Sequence, residues 1–182
     1  MTTVEQATQT ILSNPLSFGV ELVSLQGANG RILKEDLVAD RDFPPFNRVS
    51  MDGIAFCFDH FNTGQRHFTI EGLQAAGAEQ MSLENKKNCL EVMTGAVLPK
   101  GVNTVVRYED VVIKGGEAIV QVDVVKLQQN IHQKGTDRLA GALLVKRGCR
   151  ITPAEIGVAA TCLLYTSPSP RDRTRSRMPS SA

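Results

Sequence analysis

The sequence predicts an α+β fold: a small mixed α/β domain with an inserted β-rich domain, barrel- or sandwich-like. Three observations carry that expectation. Short apolar segments recur from about residue 50 to 146, separated by glycine-bearing or polar turns such as Lys114-Gly115-Gly116. Those segments follow one another too closely for the helical crossovers that β-α-β units require. Helix starts are read on either side of this stretch, at Thr2 or Thr3 and at Thr152. The expected division places 1–48 with 147–162 in the mixed, discontinuous domain and 49–146 in the insertion.

Element by element, Val4, Ala7, Ile11 and Leu12 lie at helical spacing behind Thr2 or Thr3 as cap, and Asn14-Pro15 stops that helix. Val20 to Leu25 alternates as a short strand. Gln26 to Arg31 is a turn or one helical turn, and Ile32 to Ala39 is a second extended segment. The β-rich stretch offers Ile54–Phe58, Phe68–Leu73, Asn88–Val92, Thr104–Val106, Glu109–Ile113, Ala118–Val124 and Ala142–Val145 as strands. Thr152-Pro153-Ala154-Glu155 then opens a helix, with Thr as N-cap, Pro at the first helical position and Glu at the third.

Composition bounds the function classes. Hydrophobic residues make up 42% and charged residues 21% of 182, the balance of a folded globular chain; with aromatics at 5% and no Trp, the core must rest on aliphatic side chains. A net charge of +1 supplies no electrostatic case for nucleic acid or for a membrane surface. No run approaches the roughly 20 apolar residues of a bilayer span, and the N-terminus has no basic-then-apolar leader, so a cytoplasmic location is expected. Cys57, Cys89, Cys149 and Cys162 are widely spaced without a C-x-x-C pair, which argues against a zinc site and for reduced, mostly buried thiols.

The last twenty residues break the pattern. Residues 163–182 are rich in Ser, Pro, Thr and Arg and have no helical or strand period. Four Arg and one Asp give this tail +3 against +1 for the whole chain, so the body before it carries −2. The tail interrupts the helix begun at Thr152 with no stop signal. Translation of an adaptor or a shifted frame accounts for that best; an Arg-rich arm and a flexible linker are the alternatives. A disordered, non-native-looking tail is the expectation.

Familiar chemical signatures are missing: there is no G-x-G-x-x-G, P-loop, H-E-x-x-H or G-x-S-x-G. His60, His67 and His132 have no metal-ligand spacing. Three polar segments remain. In the run from Phe43 to Gly53, two prolines stiffen the chain, and Asp52-Gly53 exposes a carboxylate beside a backbone that a ligand can approach; a hairpin entry explains the same residues. In Val92 to Gly101, Thr94 and Gly95 follow a strand and could present a hydroxyl and backbone N–H groups to an anion, or could form an ordinary strand end. Asn130 to Asp137 offers one cation, Lys134, and one carboxylate, Asp137, or is a solvated loop.

Taken together, Met51-Asp52-Gly53 after Pro44-Pro45-Phe46, then Met93-Thr94-Gly95-Ala96 with Pro99, then Asn130-Ile131 with Gly135 and Asp137 resemble the molybdopterin molybdotransferase family (MoeA and the gephyrin E-domain) in order and spacing. Gly30-Arg31-Ile32-Leu33 and Ile151 to Gly157 resemble that family's flanking segments. The likeness covers residues 1 to about 162. There are departures: Asn47-Arg48 stands where an acidic residue and Asn are usual, and His132-Gln133-Lys134 with Thr136 stands where Arg residues and Glu are common.

The resemblance implies a homodimeric enzyme of molybdenum cofactor biosynthesis that takes adenylylated molybdopterin and molybdate with Mg²⁺ present. It implies functional roles for Asp52, Thr94 and Asp137 in catalysis and for Ser50, Gly53, Gly95 and Lys134 in binding. Metal ligands are not assigned, and the main Mg²⁺ site is expected in the family's α/β domain. That domain is expected to lie outside this chain, so the chain alone should be inactive. A catalytically silent β-rich binding or dimerisation module is the alternative reading.

Overall fold

The structure, a computed structural model, describes residues 2–15 and 19–162; the expectations for 163–182 lie outside the described residues. The class is α+β and dominated by strands. Contacts divide the chain into two compact units, one holding the described residues up to Leu37 and from Leu144 onward, the other Val38–Leu143. The sequence-based division was set after 48 and 146. Instead 38–48 group with the β-rich unit and 144–146 with the other. Backbone bonds hold 38–48 there, Ala39 N–H donating to Ala142 O (2.8 Å), Phe43 N–H to Arg138 O (2.7 Å) and Leu98 N–H to Asn47 O (2.9 Å).

In the first unit, helix α1 (Val4–Ser13) is set by its cap: Thr3 Oγ1 accepts from Gln6 N, and the Gln6 side chain accepts from Thr3 N. Helix α3 (Pro153–Thr161) repeats the device with Thr152 and Glu155, and Pro153 occupies its first turn. The strand expected at Val20–Leu25 does not form; instead one 3₁₀ turn spans Leu25–Gly27, capped by Ser24. Alternation proposes a strand, but only a partner satisfies its backbone groups, and Leu22 stays fully exposed. Of the extended segment at 32–39, only β1 (Leu37–Val38) is regular.

The second unit is built on six strands: β3 (Gly53–Phe56), β4 (His67–Gln74), β5 (Cys89–Val92), β6 (Thr104–Arg107), β7 (Val111–Lys114) and β8 (Glu117–Val120). Their spatial order is β6-β3-β5-β4-β8-β7, antiparallel except for the β4–β5 pair. Gly115 and Gly116 close the β7–β8 hairpin at φ +62° and +82°, the left-handed pair that a two-residue turn needs. Two short strands, β2 (Arg48–Val49) and β9 (Ile131–His132), form a separate ladder, and β10 is Leu143–Val145.

This sheet must curl. The edge strands β6 and β7 are joined by a single 3₁₀ turn, Tyr108–Asp110. Four residue steps reach about 14 Å at most, whereas the edges of a flat six-stranded sheet stand about 24 Å apart. Bringing the edges together makes the barrel-like form, and the central strand β3 is buried on both faces. Inside the curl lies an aromatic and aliphatic cluster: Phe56 stacks on Phe68 (4.5 Å between ring centres) and on Phe61 (5.9 Å), with Ile54 and Val106 beside them. On the outer face, Ala55, Leu90, Val92 and Val105 cluster with Val49 of β2 and with Leu98. Phe61 sits on a short helix, α2 (Phe58–Asn62), where the sequence reading ran the strand on to Phe58.

Cys57, Cys89 and Cys149 are free thiols. Cys89 and Cys162 are buried, but Cys57 and Cys149 are half-exposed, so "mostly buried" held for two of the four. No helix among the described residues is long and apolar enough to cross a membrane.

Candidate functional site

Strand β2 draws the three polar segments together within the β-rich unit. On one side it pairs antiparallel with β9, Arg48 opposite His132 and Val49 opposite Ile131. On the other, Gly95 N–H donates to Val49 O (2.8 Å) and Leu98 N–H to Asn47 O (2.9 Å). Ser50 N–H donates to Asn130 O (3.0 Å), so the first segment is tied to the third just before Asp52. Val49 is fully buried and anchors this junction in the outer-face cluster. A two-residue strand has no period to read, which is why β2 and β9 were not legible beforehand.

At the centre of the junction one oxygen of Asp52 accepts twice from Thr94. The backbone N–H lies 2.6 Å and the hydroxyl 2.7 Å from Oδ1. These two bonds, the backbone one first, lower the Asp52 pKa from its ordinary value against the opposing effect of burial. The carboxylate is therefore held ionised, and among the described residues Oδ2 has no hydrogen-bond partner. The donors expected to face an anion are thus spent inside the site: Thr94 N–H and hydroxyl on Asp52, Gly95 N–H on Val49.

Gly53 is required by close approach. A Cβ there would stand 1.9 Å from Val106 O and 2.8 Å from Arg107 Cα on β6. Its role is to let β3 and β6 meet. Gly95 has φ +86°, which turns the chain after Thr94.

The third segment carries Lys134 and Asp137. Asn47 Oδ1 accepts from Lys134 N (2.9 Å), and Asp137 N donates to Phe43 O (2.9 Å), so the first segment fixes both. Lys134 Nζ lies 3.4 Å from Asp42 Oδ2, and Asp137 Oδ1 lies 3.0 Å from His132 Nε2. Asp42 has a lowered pKa, chiefly because Ala140 N–H bonds it, with Lys134 adding a hydrogen bond and a charge against the opposing effect of burial. No hydrogen bond or ion pair is drawn between the Asp52–Thr94 pair and Lys134 or Asp137. Sequence reasoning missed Asp42 and Asn47 as partners of Lys134. Asn47 and Lys134 lie 87 positions apart, and no local signal links such residues.

Among the described residues no group of three or more His, Cys, Asp or Glu stands together to cage a metal ion. The donor set fits a looser mode: Mg²⁺ is commonly held by one or two carboxylates, with phosphate oxygens and water completing its shell. Asp52, with Oδ2 unengaged, is the residue suited to that mode.

The family model for the MoeA N-terminal region, domains I and II, matches residues 2–162. This chain belongs to the MoeA N-terminal family. Similar members include the molybdopterin molybdenumtransferase of Synechocystis, 36% identical over 156 residues that cover 83% of this chain and 39% of the relative. That of Haemophilus influenzae is 28% identical over 162 residues, covering 88% of this chain and 40% of the relative. The crystal structure of the MoeA protein of Pyrococcus horikoshii superposes with a TM-score of 0.76 at 28% identity, over 87% of this chain and 41% of that one. The chain thus spans about two fifths of the length of these MoeA relatives.

Proposed function

We propose that this chain serves molybdenum cofactor biosynthesis as the N-terminal part of a molybdopterin molybdotransferase, its β-rich unit presenting Asp52 and Thr94 to the reacting anion. The relatives are named molybdopterin molybdenumtransferase, which supports the pathway. The observation that carries the site is the doubly bonded Asp52 carboxylate, held ionised at an exposed turn where three motif segments converge.

The chemistry follows from that state. A carboxylate with a lowered pKa is a poor proton acceptor near neutral pH, because a general base works best when its pKa lies close to the working pH. Asp52 therefore acts by charge and orientation. It fixes the Thr94 hydroxyl, whose oxygen keeps lone pairs to accept from a substrate or water proton. Asp52 Oδ2 is the group that would hold Mg²⁺, an ion that would supply charge neutralisation at a phosphate. Lys134, shared with Asp42, adds positive charge at the junction without being a free anion hook.

The substrates of the whole protein, adenylylated molybdopterin and molybdate, belong to this proposal, as does assembly as a homodimer. Helix α1 supports assembly: it buries none of its residues and leaves Ile11 and Leu12 more than 70% exposed. A chimera tests the reading. Residues 1–162 of this chain replace the matching region of the Synechocystis relative, and conversion of adenylylated molybdopterin to molybdenum cofactor is followed. Turnover comparable to the parent relative, lost with Asp52→Asn, is expected. A folded chimera that is active and indifferent to Asp52→Asn overturns the site and leaves a silent binding module.

A further inference from the structure

We infer that Tyr108 is a positioning residue for the Asp52–Thr94 pair, acting as a strap from β6 to β5 across the strand that carries Asp52. The inference rests on the reading that this pair is the functional one, but its test needs no activity. In the sheet, β3 lies between β6 and β5, with Gly53 opposite Arg107 on one side and Val92 on the other. Asp52 is the residue just before that register, and Tyr108 the residue just after Arg107. Their backbones meet: Tyr108 N–H donates to Asp52 O (3.1 Å).

The Tyr108 side chain then leaves β6 and reaches β5. Its hydroxyl donates to Glu91 Oε2 at 2.7 Å, and Glu91 is paired with Ile54 across the β3–β5 ladder. Two strand spacings, about 10 Å, are spanned by one phenol and one carboxylate, so the bond fixes how far β5 stands from β6 with β3 between them. That distance matters at the site. Asp52 enters β3, whereas Thr94 leaves β5 two residues after Val92. The 2.6 and 2.7 Å bonds between them exist only while the entry of β3 and the exit of β5 are level. Gly53, packed on the Val106 carbonyl, brings β3 close to β6, while the Tyr108–Glu91 bond ties the far side of the triple back to the same edge.

The phenol is suited to a permanent donor role. Burial first, then the Glu91 bond and the charges of Glu91 and Asp52, push its pKa above the ordinary value, so it keeps its proton. Both residues of the strap are half-buried, which shields the bond from water.

Amide exchange in the 182-residue chain tests the strap. Thr94 is exposed, so protection of its amide reports the bond to Asp52. In Tyr108→Phe the Thr94 amide should exchange at least roughly threefold faster, with the β3–β5 ladder amides unchanged. Glu91→Leu, which removes the acceptor and keeps the ring, should do the same. Glu91→Gln, which retains an acceptor, should remain close to the parent. Parent-like Thr94 exchange in either disrupting variant overturns the inference. So does acceleration shared equally by the Ile54 and Leu90 amides, which is the signature of a merely structural bond. If Tyr108→Phe fails to fold, Glu91→Leu decides alone.

Discussion

Asp52 and Thr94, 42 positions apart, are joined through a single carboxylate oxygen that accepts both the amide and the hydroxyl of the threonine. An aspartate serving only its own turn would bond its own neighbours. This one bonds across two strands, and its state is set by a residue from another segment.

That coupling gives the acid limb of stability a definite sign. The folded pKa of Asp52 lies below the ordinary value of about 3.9, so its bonds stabilise the fold above that value and are lost as pH falls through the lower folded one. Thr94→Val removes the hydroxyl bond and moves the folded pKa up towards the ordinary value. The urea midpoint of Thr94→Val should therefore fall less between neutral pH and about pH 2.5 than that of the parent. An equal or larger fall in the variant contradicts the coupling.

Asp52→Asn separates charge from geometry. The amide oxygen can still accept both Thr94 bonds but without the charge, so the denaturation midpoint at neutral pH should fall only by about what protonating Asp52 removes from the parent. In the chimera, turnover should drop by about tenfold or more, since the ionised oxygen is gone. A variant destabilised but fully active would remove Asp52 from the site.

Gly53→Ala should be among the most damaging single changes in the β-rich unit. The added methyl meets backbone atoms of Val106 and Arg107, which cannot rotate away as a side chain could. The expected cost is roughly 3 kcal/mol or more, the upper range for overpacking, read from urea unfolding. A midpoint within error of the parent would mean that β3 and β6 can separate freely.

Thiol reactivity should divide the cysteines. Burial first, then the nearby charges of Glu91 and Glu71, push the Cys89 thiol up to about 12. At mildly alkaline pH, iodoacetamide should modify the half-exposed Cys57 and Cys149 and leave Cys89 intact until denaturant is added. Peptide mass spectrometry reads this directly, and early labelling of Cys89 would show that the curl opens on its own.

What the sequence determined by itself was local. A cap at Thr2 or Thr3 for α1, and Thr152 with Glu155 for α3, were legible because such caps satisfy backbone groups within three residues; that Thr3 pairs with Gln6 came from the structure. Gly115-Gly116 was legible as a turn for the same reason, and the strands of the curled sheet were placed within a few residues by their apolar runs. Tertiary structure decided whatever needed a distant partner. Val20 to Leu25 alternates yet has no strand to pair with, whereas β2 and β9 lack any pattern and are strands because the Val49 and Ile131 backbones meet. The motif residues could be named one by one, but not how they share their bonds. That Thr94 faces Asp52, that Lys134 leans on Asp42, and that Tyr108 reaches Glu91 follow from strand order and register. A hydrogen bond acts over about 3 Å, and only the folded sheet brings these residues that close.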